Sequence, residues 1–132
     1  MENSKNHDPG QLERLFGNTA TTRILDFIHI FRDWDYSKQD ISENSGVSFR
    51  HAAKAIDKLE KLELIKKTRN VGRAQMYQYN MKNPAAQLLQ KFALELAGQE
   101  AQKIADREIA KEESNKKARE TEVVPVQKQL NG

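Results

Sequence analysis

The sequence predicts a mainly α-helical chain with one small β-hairpin, an α+β fold. Over several stretches the apolar residues recur at spacings of three and four, which is the period of an amphipathic helix. The helical spacing breaks at Leu64-Ile65, and the residues that follow alternate with the period of two that strands have. Asn83-Pro84 then predicts a last helix, because Asn is a good cap and Pro fits the first helical position.

The composition indicates a single small domain with an extension. The chain has 132 residues, of which 37% are hydrophobic and 31% charged, so we expect a small core and a solvated remainder. Cysteine is absent, which excludes disulfides and thiolate-held zinc and fits a reducing compartment. No apolar run reaches the roughly 18 residues of a membrane-spanning helix, and the opening MENSKNHDPG lacks the apolar core of a signal peptide. We therefore expect a cytoplasmic protein without a membrane partner.

The amino-terminal part predicts an arm followed by a helix. Residues 1–11 lack apolar periodicity and contain Pro9-Gly10, so we expect a disordered arm. Asn18 and Thr19 are candidate caps for the next helix, which we expect to end near residues 33–35. Its apolar stripe consists of Ile24, Phe27, Ile28 and Phe31.

Two further helices are predicted close together. Ser37 can cap a short helix that runs to about Ser45, and Asp40 at its third position completes a capping box. Gly46 can take the left-handed conformation that ends this helix, and Ser48 can cap the next one. Two helices joined by about three residues that include Gly are the signature of a helix-turn-helix.

The third helix is strongly amphipathic. Its predicted inward residues are Ala52, Ile56, Leu59 and Leu62. Its other side is basic and carries Arg50, His51, Lys54 and Lys58. The positive charge of the chain is concentrated around this helix, since residues 36–82 hold 10 basic and 5 acidic side chains, a net charge of +5. A clustered basic patch is typical of nucleic-acid binding, although solvated basic surfaces are common.

A hairpin follows this helix. We expect one strand from Ile65 to Arg69, a turn over residues 70–73 and a returning strand over residues 74–79. The tip of the hairpin then carries Arg69 and Arg73.

The order of these elements resembles the winged helix-turn-helix domain. The residues that carry the resemblance follow the loose pattern G-[VL]-S, a small buried residue and LxxLxxxGLI of small bacterial and archaeal regulators; they are Ile41, Gly46, Val47, Ser48, Ala52, Ile56, Leu59, Leu62, Leu64 and Ile65. The segment RNVGRAQMYQY is similar to the wing of archaeal members, in which Arg-x-x-Gly-Arg precedes a strand with a tyrosine. The resemblance covers about residues 12–97, with the domain itself at 12–82. Glu63 departs from the pattern, because the family usually has a glycine there that ends the helix.

The resemblance implies a transcription regulator that binds double-stranded DNA, and hence a nucleoid-associated protein. Its third helix would enter the major groove, with Arg50 as the base-reading residue, and its hairpin would reach the backbone or the minor groove. The residues expected to touch DNA are Ser37, Lys38, Ser48, Arg50, His51, Lys54, Lys58, Lys67, Arg69 and Arg73. Phe49 is expected to pack against the protein rather than to stack on a base.

The apolar stripe of the last helix, residues 83–110, predicts a homodimer. This stripe exceeds what so small a domain can cover, and such surface usually marks an interface; the proposed interface residues are Leu88, Leu89, Phe92 and Leu96. The alternative is that the helix folds back on the first helix of its own chain, and the two can hold for different faces. Residues 111–132 begin with the nearly all-polar stretch KEESNKKARETE, and we expect them to form a disordered tail.

Of three alternative functions, the sequence disfavours one and leaves two open. An enzyme is not indicated, because the three histidines are far apart and neither a phosphate-binding glycine loop nor a catalytic carboxylate pair is present. We accordingly expect no cofactor, no metal and no small-molecule ligand. A protein-interaction module would use the same basic face for an acidic partner, and a chromatin-like protein would coat DNA without reading its sequence.

Overall fold

The computed structural model describes the backbone of residues 7–131 and the side chains of residues 7–120. The elements in chain order are α1 (Gln11–Phe16), α2 (Ala20–Ile30), β1 (Tyr36–Ser37), α3 (Lys38–Ser45), α4 (Phe49–Lys61), β2 (Ile65–Val71), β3 (Ala74–Tyr79) and α5 (Pro84–Asn131). The three strands form one antiparallel sheet in the order β1-β3-β2. The predicted class, helical with a small hairpin, is therefore confirmed.

One apolar core joins the helices to the sheet. Its fully buried large side chains come from α1, α2, α3, α4, β2 and β3; they are Leu12, Ile24, Ile28, Ile41, Ile56, Leu59, Ile65 and Tyr79. Two predictions about inward residues are wrong. Leu62 lies just past the end of α4 and is 56% exposed, and Phe31 lies past the end of α2 and is about half-exposed, because neither continues the helix that the spacing assumed.

The helix ends are built by the predicted caps. Thr19 accepts the N–H of Thr22 at the start of α2, and the Ser37 hydroxyl accepts the N–H of Asp40 while the Asp40 carboxylate accepts the N–H of Ser37. Gly46 ends α3 with φ 66°, in the left-handed region that glycine adopts without a steric penalty. These local bonds fix the start of α2 and both ends of α3.

The chain before α1 is described from residue 7 onward and has no regular secondary structure there; the expected disorder of residues 1–11 stays a prediction, and residues 1–6 lie outside the described part. The buried Asp26 carboxylate accepts the N–H groups of Leu12 and Glu13 at 2.9 and 3.0 Å, which anchors the start of α1 on α2. A Cβ at Gly10 would lie 2.3 Å from Cγ of Asp26, so only glycine fits this approach. A hydrogen bond from His7 to Glu13 ties the chain before α1 to that helix.

The hairpin is longer and has a tighter turn than expected. β2 continues to Val71, and the turn contains only Gly72 and Arg73, with Gly72 at φ 60°. A bulge shifts the register between Lys67 and Asn70. No pattern in the sequence predicted β1, whose two residues pair with β3 on the side away from β2.

Glu63 lies in the turn after α4, at the position where the family usually has a glycine. This residue takes φ 58°, and among the described residues it is the one non-glycine with positive φ. Its carbonyl oxygen accepts the side-chain amides of Asn80 and Asn83, each at 2.9 Å. These bonds hold the turn in a conformation that a glycine would adopt more easily.

The chain divides into two units, Met1–Glu95 and Leu96–Gly132, and the boundary falls within α5. In the first unit Ala86 and Ala93 of α5 are buried, and the Tyr79 hydroxyl donates to the Ala86 carbonyl at 2.6 Å. In the second unit the chain is helical through Asn131. The helix thus continues past residue 110, where the sequence led us to expect its end. The reason is that its many Ala, Glu, Lys, Gln and Arg residues favour a helix even without apolar periodicity. Within the described residues, no helix combines the length and the apolar character that crossing a membrane requires.

Candidate nucleic-acid interface

Helix α4 separates an apolar inner face from a basic outer face. Its inner face consists of the buried residues Ala52, Ala55, Ile56 and Leu59. Its exposed basic residues are Arg50, His51, Lys54, Lys58 and Lys61. The inner face holds the helix in place. The outer cations are therefore fixed along the helix axis, which rises by about 1.5 Å per residue.

The start of α4 is organised by Ser48. Its hydroxyl accepts the backbone N–H of His51 at 3.3 Å and lies 2.7 Å from Nδ1 of the same histidine. This pair caps the helix and fixes the imidazole beside its first turn. The helix N-terminus also carries partial positive charge, which adds to that of the side chains.

Four of the predicted DNA-binding cations have no acidic partner. Within the part of the chain whose side chains are described, no carboxylate lies within 4.0 Å of Arg50, Lys54, Lys58 or Arg73. Three belong to α4, and Arg73 occupies the turn of the hairpin. Their charges are thus available to an external anion.

Other predicted cations are partly neutralised. Lys38, the first residue of α3, lies 3.7 Å from Asp57 of α4 and 6.0 Å from the centre of the Tyr77 ring. Lys67 of β2 lies 3.7 Å from Glu60 of α4. Ser37 uses its hydroxyl to cap α3. The sequence could not reveal the pairs of Lys38 with Asp57 and of Lys67 with Glu60, since each joins two elements.

Arg69 is the most strongly engaged of the predicted residues. Its Nε and Nη2 donate to the two oxygens of Asp35 at 2.9 and 3.2 Å, and the Thr68 hydroxyl donates to the same carboxylate at 2.7 Å. The hydrogen bonds from Arg69 and then Thr68 lower the pKa of Asp35, and those to Asp35 raise the pKa of Arg69. This bidentate pair ties β2 to the segment before β1, so the guanidinium of Arg69, one of the residues expected to touch DNA, is already engaged within the chain.

Phe49 does not pack as expected. It is the first residue of α4, and its side chain is 51% exposed. The ring borders a surface cavity of about 350 Å³, whose other lining residues are Ser37, Lys38, Gln39, Ala74, Gln75 and Tyr77. Sequence reasoning missed this position, because an aromatic residue at the start of a helix is normally assigned to the core.

The predicted dimer residues differ in exposure. Leu88 and Phe92 are 68% and 45% exposed in the first unit. Leu89 packs against the apolar core of its own chain, which agrees with the alternative that part of this helix folds back. Leu96, in the second unit, is partly buried. Among the described residues no group of three or more His, Asp or Glu side chains is placed to hold a metal ion.

The fold is similar to those of several solved regulators. It matches MepR, a transcription regulator of the Staphylococcus aureus multidrug efflux pump MepA, with a TM-score of 0.56 and 12% identity over 73% of this chain and 69% of that one. It matches apo ZitR of Lactococcus lactis with a TM-score of 0.52 and 21% identity, over 67% and 68% of the two chains. It matches the transcriptional regulator BldR of Sulfolobus solfataricus with a TM-score of 0.50 and 16% identity, over 71% and 66%.

In sequence, no protein-family model and no curated protein matches the chain. At these identities the structural likeness concerns the fold. The chain has the winged helix-turn-helix fold, in which α3 and α4 form the helix-turn-helix and the hairpin β2–β3 forms the wing.

Proposed function

We propose that this winged helix-turn-helix chain is a homodimeric transcription regulator that binds double-stranded DNA. The observation that carries the proposal is that Arg50, Lys54 and Lys58 of α4 and Arg73 of the wing have no carboxylate within 4.0 Å among the side chains that the structure describes. Regulators from three organisms share the fold, which supports the same class of function. Such a protein acts on the chromosome, so we place it in the cytoplasm with the nucleoid.

Helix α4 is the element that we assign to the major groove. A helix fits this groove, and the residues of its first turns are the ones that reach base edges. Arg50 lies there without a carboxylate partner in the part of the chain whose side chains are described, and it can donate two hydrogen bonds to O6 and N7 of a guanine. Lys54 and Lys58 lie one and two turns further along and suit phosphates.

The wing supplies a second contact. Arg73 follows Gly72 in the two-residue turn, where its side chain is exposed and free of acidic partners among the described residues. An arginine at such a tip suits a phosphate or a narrow minor groove. Arg69 contributes less in this proposal, because its guanidinium is already bound to Asp35.

The dimer is assigned to the exposed side of α5. Leu88 and Phe92 are four residues apart and therefore lie on one face of the helix, where both leave apolar surface in contact with water. A two-fold pair would bring the same face of each copy together. Two copies of α4 could then read two half-sites about one helical turn apart.

The deciding experiment measures binding to a random duplex of about 30 base pairs by fluorescence anisotropy across a salt series. Wild type should bind with an affinity that falls steeply with salt, because phosphate contacts release counterions. Arg50→Ala should weaken binding about 10-fold or more if Arg50 reads a base, since such contacts contribute about 1–3 kcal/mol. Lys91→Ala removes an exposed cation from α5 and serves as the matched control, for which we expect little change.

The other outcomes separate the alternatives. Equal effects of Arg50→Ala and Lys91→Ala would remove α4 from the interface. Binding without any preference in a subsequent sequence selection would favour a DNA-coating protein. No binding at low salt would overturn the proposal and direct attention to an acidic protein partner of the same face.

A further inference from the structure

Phe49 lies outside the buried face of α4. That face consists of Ala52, Ala55, Ile56 and Leu59. Phe49 is the first residue of the helix, and 51% of it is exposed to solvent. About half of this aromatic residue is therefore accessible for a contact outside the chain.

The surroundings of the ring restrict the chemistry of that contact. The cavity beside Phe49 is also lined by Ala74 and Tyr77 of β3 and by Lys38, the first residue of α3. Arg50, the next residue along, is exposed and acid-free among the described side chains. An apolar surface with a cationic border suits an anionic partner that offers an apolar group.

Double-stranded DNA carries one such group in the groove that we assign to α4. The C5-methyl of thymine is the apolar feature of the base-pair edges in the major groove, and phenylalanine is among the side chains that contact it. The bases stay stacked in the duplex, so the edge of the base is accessible to Phe49 whereas its face is not.

We propose that Phe49 is a specificity-determining residue that contacts the C5-methyl of a thymine in each half-site. This inference rests on the proposed function, since it requires α4 to lie in the major groove. It assigns the apolar part of sequence reading to Phe49 and leaves the hydrogen-bonded part to its neighbour Arg50.

The test begins with selection of preferred sites from a random duplex pool by wild type. Each thymine of the selected site is then replaced in turn by deoxyuridine, which removes only the methyl group. At one position per half-site wild type should lose about fourfold in affinity, the ratio that corresponds to ~0.8 kcal/mol for one buried methyl-sized group. Phe49→Ala should bind the thymine and uracil duplexes equally at that position and keep its sensitivity to salt.

Two variants control for nonspecific effects. Phe49→Leu retains an apolar side chain and should keep part of the preference for the methyl group. Phe16→Ala removes a phenylalanine of α1 that is 64% exposed, and it should leave the preference intact. Circular dichroism and thermal unfolding should show that all three variants are folded, as expected for exposed positions.

The outcomes distinguish this inference from the function on which it rests. Salt-dependent binding without any methyl-sensitive position, or with equal sensitivity in Phe49→Ala, would overturn the role of Phe49 and leave the DNA-binding proposal standing. Absence of DNA binding by wild type would overturn both.

Discussion

Glu63 stores backbone strain at the end of α4. A residue with a Cβ loses roughly 1–2 kcal/mol in the left-handed conformation, and Glu63 adopts it with φ 58°. The amides of Asn80 and Asn83 bind its carbonyl oxygen, a backbone atom that any residue provides. The side chain of Glu63 therefore does not explain why the turn is held in this form.

Glu63→Gly should stabilise the protein. Relief of the strain exceeds the greater conformational entropy that glycine gives the unfolded chain, so we expect a gain of about 0.5–1 kcal/mol in the free energy of unfolding. Urea denaturation with an unchanged m-value measures it. Glu63→Ala keeps the Cβ and should show no such gain; an equal gain would assign the effect to the lost carboxylate.

His29 is a buried histidine that makes stability depend on pH. Only 2% of it is exposed, its Nε2 lies 4.0 Å from Asp26, and its Nδ1 has no hydrogen-bond partner among the described residues. Burial lowers its pKa from 6.5; Asp26 acts in the opposite direction and Arg32 in the same direction. The folded state thus keeps the ring neutral under conditions in which the unfolded state becomes protonated.

The free energy of unfolding should therefore fall as the pH drops below about 6.5, because the unfolded chain then binds a proton that the folded chain refuses. The slope from this one group is at most about 1.4 kcal/mol per pH unit. Urea denaturation at about pH 7.5 and 5.5 measures it, and His29→Phe should lose less stability over this interval than wild type. Identical losses would show that His29 is not responsible for the pH dependence.

At the scale of elements, the wing combines a bound arginine with a free one. Arg69 and Thr68 both donate to Asp35, which joins β2 to the segment ahead of β1 across the sheet. Arg73 occupies the turn and has no such partner among the described carboxylates. Arg73 is therefore more available to a phosphate than Arg69.

Arg73→Ala should weaken DNA binding more than Arg69→Ala. Loss of one phosphate contact reduces the salt dependence by about one unit of the log–log slope, and we expect this for Arg73→Ala. Arg69→Ala should change the slope less, since Asp35 competes for its guanidinium. Asp35→Asn should tighten binding by releasing Arg69 and removing a negative charge; weaker binding would instead mean that the pair positions Arg69 for DNA.

At the scale of the whole molecule, the first unit leaves apolar side chains of α5 exposed. Leu88 and Phe92 share one face, while Ala86, Leu89 and Ala93 face the core of the same chain. Leu94 is also exposed, at 48%, but it lies about 200° around the helix from Phe92. The proposed dimer uses the face of Leu88 and Phe92.

Phe92→Glu should convert the dimer into a folded monomer, because it places a charge in an apolar contact without altering the core. Sedimentation velocity over a concentration series measures the change, and affinity for a two-half-site duplex should fall with it. Leu94→Glu is the matched control and should leave the dimer intact. A wild-type chain that is monomeric at all concentrations would refute the homodimer.

Much of the fold follows from short-range patterns in the sequence. Thr19, Ser37 with Asp40, Gly46 and Ser48 act within a few residues of their own position, so the starts of α2, α3 and α4 and the turn between α3 and α4 could be read directly. Alternation after Leu64 and the residues Gly72-Arg73 predicted the hairpin. Expectations failed where packing decides, as for Leu62 and Phe31, which are exposed.

The sequence by itself determined the order of α2, α3, α4, the hairpin and α5, the capped helix-turn-helix and the basic character of α4, because each depends on residues that are near one another along the chain. Only the tertiary structure decided which cations remain available. Lys38, Lys67 and Arg69 meet carboxylates from other elements, whereas Arg50, Lys54 and Arg73 do not among the described residues. Charge neutralisation acts over a few ångströms between residues far apart in sequence, and composition carries no record of those distances.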